Sequence, residues 1–365
     1  MGSIGTESGV IGQILQDVPK GAKMWAADVN ARGGLSGHPV RIIFGDDGGD
    51  PNRALALAKR MVDEDKVIAF YADHGPGSYQ AMMPFLEQRK VPLLSSGCAC
   101  SAFVARSPIA FSVGHGAEEG MIWSSTLPLL ALSDKRKVSI LYCAEVASCR
   151  NVRDGIVKNA GRAGIQIVHE AQVTLSQPDY SAELLAARNA GADAMIMAVD
   201  NFSMIRVKRS ADRQNYHPVI SFQYLGHSER FLEQGGKDLD GILIGGMWPH
   251  WTSPKLADYR EAVARFGQGV AKGSTSIAAY EGGKLLELIS KSFPANPTSQ
   301  DVINGLYGLN GETLGGLMPP LTYIPGQPSD SANLCVIPFK IDNGEFITKD
   351  GDNYTCAPGW KPAHR

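Results

Sequence analysis

The chain repeatedly writes a short apolar run that stops abruptly in small residues and is followed by a stretch with helical spacing. Val91 to Leu94 runs straight into Ser95-Ser96-Gly97-Cys98-Ala99-Cys100-Ser101. One run earlier, Val67 to Tyr71 gives way to Ala72-Asp73-His74-Gly75-Pro76-Gly77-Ser78. Unbroken apolar runs of this length suit strands buried on both faces, the condition of a parallel sheet. The carboxyl ends of such strands are where an open α/β sheet presents its crevice. Small residues there let a ligand approach backbone N–H groups, and successive N–H groups can form an anion-binding nest. The two loops are read together as a ligand shelf.

The same alternation continues along the chain. Strands are expected at 40–44, 67–71, 91–94, 138–142, 165–169, 194–199, 219–222 and 241–245. Helices are expected at 51–64, 79–89, 118–132, 151–163, 180–189, 202–214, 254–266, 275–293 and 299–307. Helix 51–64 carries proline in its first turn, behind Asp50 as the cap. Short connections between alternating elements argue for parallel, doubly wound sheets flanked by helices. A chain of 365 residues exceeds one ordinary core. The pattern restarts after the helix 118–132, so two α/β units of similar plan lie in tandem.

Most chemistries lack their signatures. A net charge of −2 with no Lys/Arg cluster leaves no footprint for nucleic acid. No apolar run approaches the length of a membrane span. Gly5-Thr6-Glu7-Ser8-Gly9 follows the first strand but is neither a dinucleotide turn nor a P-loop. Gly-x-Ser-x-Gly is missing, so a hydrolase elbow finds no support. Asp46-Asp47-Gly48-Gly49-Asp50 lacks the EF-hand spacing and is better read as a solvated turn than as a metal site. The eight histidines are scattered; His74 stands out because it lies in a shelf loop, as a turn residue or a ligand donor. Cys98 and Cys100 have no local histidine or cation to make either one a nucleophile. Catalysis is the weaker reading, and neither metal nor cofactor is implied.

Six cysteines without a Cys-x-x-Cys pattern speak against structural zinc and for an oxidising compartment. Cys335 and Cys356 flank a hairpin, 336–339 and 345–348, turned at Asp342-Asn343-Gly344, and a disulfide is expected there. A second is expected to close the Cys143–Cys149 loop. Cys98 and Cys100, one residue apart, make a strained pair; six reduced thiols are the alternative. Met1-Gly2-Ser3 looks like a scar on a mature protein whose export signal was removed. Aromatic residues Tyr224 and Trp248 each follow a strand of the second unit, as ligand walls or as packing between the units.

With these residues in place, the chain resembles the type I periplasmic solute-binding proteins of the branched-chain amino acid (Leu/Ile/Val-binding-like) ABC-transporter family. The phrases that carry the resemblance are Ala26-Ala27-Asp28-Val29-Asn30-Ala31-Arg32-Gly33-Gly34-Leu35-Ser36-Gly37, Asp46-Asp47 with Asp50-Pro51, and Val62 to Lys66. Gly75-Pro76-Gly77-Ser78, Val91 to Ser95, Asp179-Tyr180-Ser181-Ala182 and Gly191-Ala192-Asp193-Ala194 continue it. The resemblance implies two Rossmann-like lobes joined by three hinge crossovers, lobe 1 being 1–117 with 253–325 and lobe 2 being 118–252 with 326–365. It implies a monomer outside the cytoplasm, periplasmic or lipid-anchored in its precursor, that closes over a small-molecule ligand for a membrane permease. No bond is made or broken. The positions it assigns to the ligand are Glu7, Gly77, Ser78, Ser96, Cys98 and Cys100 in lobe 1, and in lobe 2 the loop after Tyr142, the loop from Asp200 to Phe202, Tyr224 and Trp248. Cys-Ala-Cys and Ala147-Ser148-Cys149 replace the family's usual wording, which points to a partly apolar or aromatic carboxylate as well as to an amino acid. A ligand-sensing regulator of the same fold is the alternative role.

Overall fold

The structure is a computed structural model that describes residues 1–75, 77–96, 106–113, 117–327 and 333–363, with Val10, Ile11, Ser96, Ala117 and Glu118 described in their backbone only. The chain divides into two compact units. Unit 1 holds Met1–Ala117, Trp251–Asn333 and Lys361–Arg365; unit 2 holds Glu118–His250 and Leu334–Trp360. These bounds differ from the expected lobes at Trp251 and Thr252, after residue 325, and over the last five residues. Arg260 explains the first difference, since its guanidinium donates to the Trp251 carbonyl at 3.0 Å and ties that residue to the helix Ala257–Phe266. The return to unit 2 falls at Leu334, whose carbonyl accepts from the Ala357 N–H at 2.9 Å.

Unit 1 is built on a parallel sheet of order β2-β1-β3-β4-β5. Its strands are β1 (Gly2–Gly5), β2 (Ile43–Asp46), β3 (Phe70–Tyr71), β4 (Leu93–Ser96) and β5 (Ala110–Val113). Strand β2 starts three residues later than the apolar run suggests. The Asn30 side chain takes both backbone groups of Val40, at 2.7 and 2.8 Å, so pairing begins with Ile43 opposite Gly2. The helix Pro51–Asp63 does begin on Asp50, whose carboxylate accepts from the Asn52 N–H at 2.8 Å. Helices Asp17–Ala31 and Ser274–Ser290 pack closely because glycine stands where they touch. A Cβ on Gly283 would lie 2.1 Å from the Trp25 ring, and one on Gly21 would lie 2.9 Å from the Ser276 carbonyl oxygen. Trp25, Tyr71 and Phe111 are fully buried around them.

Unit 2 is a mixed sheet of order β12-β11-β10-β9-β8-β6-β7, with β13 beside β11. Strands β6 (Lys137–Cys143), β7 (Gln166–Val173), β8 (Ala194–Ala198), β9 (Val219–Phe222) and β10 (Leu243–Gly246) run parallel. Strands β11 (Cys335–Asp342), β12 (Glu345–Thr348) and β13 (Thr355–Cys356) close the edge antiparallel. Every residue of β8 is buried, and Met195, Met197, Ile220, Phe222, Ile244 and Phe339 make the centre of the core. The β11–β12 turn places Asn343 and Gly344 at φ 51° and 77°, the left-handed pair that a two-residue hairpin turn demands. Disulfides join Cys335 to Cys356, directly opposed in β11 and β13, and Cys143 to Cys149. The second folds the loop after β6 back on itself, and the helix Ala147–Ala163 starts four residues ahead of the expected 151. Among the described residues no helix is long and apolar enough to cross a membrane.

Candidate functional site

In unit 1 the loops at the carboxyl ends of the strands are drawn together by one carboxylate. Asp47, just past β2, is fully buried. Its Oδ1 accepts from the Thr6 hydroxyl at 2.7 Å and the Gly49 N–H at 2.7 Å, and its Oδ2 accepts from the Ser78 hydroxyl at 2.6 Å. At the rim, the N–H groups of Glu7 and Gly48 donate to Asp46 and hold its carboxyl below the usual range. Past β3, Asp73 accepts from the Ile4 N–H at 2.9 Å. Burial, reinforced by the Asp47 charge, nonetheless pushes its carboxyl well above the ordinary range. His74 Nδ1 lies 3.1 Å from the Ala72 carbonyl oxygen, which can only accept. The proton is therefore on Nδ1, Nε2 is a bare lone pair, and burial keeps the ring neutral. Asp73 Oδ2, His74 Nε2 and Ser95 Oγ are buried with no hydrogen-bond partner among the described residues.

Unit 2 shows a comparable arrangement at its own strand ends. Asp200, after β8, caps the helix Asn201–Arg213 by accepting from the Ser203 N–H at 2.7 Å, and burial raises its carboxyl. The next side chain, Asn201, donates from Nδ2 to the Leu225 carbonyl at 3.2 Å. Gln223, the first residue past β9, donates from Nε2 to the Val199 carbonyl at 3.2 Å. The loops after β8 and β9 are thus stitched to each other. Tyr224 opens the turn Tyr224–Gly226, buried, its phenol pushed up by that burial. Trp248, two residues past β10, has no exposed surface. Asn201 Oδ1, Gln223 Oε1 and Trp248 Nε1 have no partner among the described residues. Leaving one such group unpaired costs about 1–3 kcal/mol. Three of them at three neighbouring strand ends match what a bound polar solute would offset.

The sequence-derived positions fall into three groups. Asp200, Tyr224 and Trp248 all stand at carboxyl ends of unit 2 strands. Gly77 is exposed in the turn before the helix Tyr79–Arg89, and Glu7 is exposed at the rim. The Ser78 side chain is turned inward and its hydroxyl is already given to Asp47. Ser96 ends β4, while Cys98 and Cys100 lie outside the described residues. Asp47, Asp73, Ser95 and Gln223 were not among the positions assigned from the sequence, and Asn201 lay inside the assigned loop 200–202 without being singled out. Their shared signal is position, at or just past the end of a parallel strand. No group of three or more His, Cys, Asp or Glu that could hold a metal ion occurs among the described residues.

The profile of the periplasmic binding protein family matches residues 1–345. Leu/Ile/Val-binding protein homolog 3 of Brucella melitensis is 21% identical over 353 residues, covering 95% of this chain and 92% of the relative. An amino acid binding protein of Pseudomonas aeruginosa is 21% identical over 197 residues, and that match spans about half of each protein, 53% of this chain and 52% of the relative. Among solved structures, the branched-chain amino acid transporter substrate binding protein of Streptococcus pneumoniae in complex with isoleucine shares the fold. Its TM-score is 0.78 at 15% identity, covering 97% of this chain and 98% of that one.

Proposed function

Because it carries the family's profile almost from end to end, the chain belongs to the periplasmic binding protein family, in its type I Leu/Ile/Val-binding-like group, and we propose that it is the extracytoplasmic solute-binding component of an ABC importer. In this reading it captures a small organic solute of about amino-acid size and delivers it to a membrane permease. The observation that carries the reading is the set of buried polar atoms without partners at the carboxyl ends of parallel strands in each unit. An α/β sheet presents its ligand crevice at those ends. A carboxylate on the shelf would be met by the Gly77 backbone, since the Ser78 hydroxyl serves Asp47.

The test is a thermal-shift screen against amino acids, aromatic acids, amides and urea. A true ligand at a hundredfold excess over its dissociation constant stabilises the native state by about 2.7 kcal/mol. Replacing the buried indole, Trp248→Ala, should weaken that ligand at least tenfold. A panel in which nothing raises the melting temperature counts against the reading.

A further inference from the structure

The three unpartnered atoms of unit 2 differ in kind, and the difference describes the group they receive. A carbonyl can only accept, so the bonds to Leu225 and Val199 oblige Asn201 and Gln223 to aim their NH2 ends there. Their oxygens are thereby fixed as the free ends, two neutral acceptors. Trp248 Nε1 is a donor and nothing else. Phe222 is the register partner of both Met197 and Ile244, so the loops that carry these three residues leave the sheet side by side. No Lys or Arg occurs in the segments 199–202, 223–228 and 247–250 that follow the three strands. The one carboxylate there, Asp200, is bonded through both oxygens to Ser203.

A carboxylate brought to these loops would face two amide oxygens, and the nearby Arg206 guanidinium is already given to the Gln177 and Leu175 carbonyls and to Ser203. An ammonium group would leave the indole N–H unpaired, and the charge of Asp200 is already opposed by Arg206. A neutral group with two N–H donors and one carbonyl acceptor satisfies all three atoms. We propose that the solute presents to unit 2 a carboxamide or urea-type group, its N–H donors meeting Asn201 Oδ1 and Gln223 Oε1 and its oxygen accepting from Trp248 Nε1. The proposal rests on the solute-binding reading above and adds the chemical class of the ligand.

Calorimetric titration of the whole chain with propionamide, succinamate and urea, against propionate and succinate, tests it, with leucine as the zwitterionic comparison. At least one amide should bind tenfold or more tightly than its matched acid. Trp248→Phe keeps the ring and removes the donor, and should weaken the amide itself about tenfold. Gln223→Glu keeps an acceptor there and adds a charge that repels a carboxylate, should widen the preference about tenfold, and carries the test if Trp248→Phe fails to fold. Leucine or an acid bound as tightly as any amide, with the ranking unmoved in the variants, overturns the amide assignment and leaves solute binding standing. Absence of binding by every member of the panel overturns both.

Discussion

Asp47 shows how much one buried carboxylate can organise. It receives a hydroxyl from the loop after β1, a hydroxyl from the loop ahead of the helix Tyr79–Arg89, and an N–H from its own turn. Asp47→Ala would leave those donors unpaired in a dry site, and should destabilise unit 1 by about 3 kcal/mol, read from urea denaturation. Little in the sequence separates it from its neighbours. Asp50 was legible, because a proline follows it and helix caps have a local grammar. Asp46 and Asp47 are adjacent and chemically alike, yet only contacts with residues 41 and 31 positions away decide that one is rim and the other is buried. Glu281 is a second case. It lies buried in the helix Ser274–Ser290, and burial pushes its carboxyl up to about 8. The folded state therefore keeps a proton that the unfolded chain releases near pH 4.5. Stability from this group is complete below that value and falls as pH rises toward 8. Glu281→Gln should abolish the decline and leave the variant more stable at pH 9, by up to about 5 kcal/mol. Parallel denaturation curves for the two proteins at pH 5 and pH 9 would sink the idea.

Element types were legible and element edges were not. The helix Tyr79–Arg89 and the strands Val219–Phe222 and Glu345–Thr348 stand where the apolar spacing put them. Strand β2 slid forward because Asn30 competes for the backbone of Val40, a side-chain contact that periodicity does not encode. The hairpin was readable because Asn-Gly supplies the two left-handed residues its turn needs. Its flanking cysteines were readable because the turn brings them into register, and they are bonded across 21 residues. A crosslink closing a loop of that length lowers unfolded-state entropy by an amount worth about 3 kcal/mol. Cys335→Ser with Cys356→Ser should therefore lose about 3 kcal/mol in guanidinium titrations. A loss below about 1 kcal/mol would mean that the β10–β11 pairing already holds this edge without the bridge. The candidate site was legible as a place, the ends of parallel strands. Its working atoms were not, because an unpaired Asn or Gln oxygen exists only once its other end has found a carbonyl.

At the scale of the molecule, each unit has its own sheet and its own buried centre, although each is assembled from separate stretches of chain. That arrangement makes the two stability levers separable. Glu281 belongs to unit 1, while Cys335 and Cys356 belong to unit 2. Hydrogen exchange, read peptide by peptide, distinguishes local from global opening. Raising the pH from 6 to 9 should weaken protection in the helix Ser274–Ser290 and in β3 and β4, once intrinsic rates are corrected, and Glu281→Gln should prevent that. The paired cysteine variant should weaken protection in β9, β10 and β11 and spare the Ser274–Ser290 helix. If either change lowers protection equally throughout the chain, the units unfold as one cooperative body. In that case the energies assigned above to Asp47, Glu281 and the Cys335–Cys356 bridge would belong to the whole molecule and not to one unit.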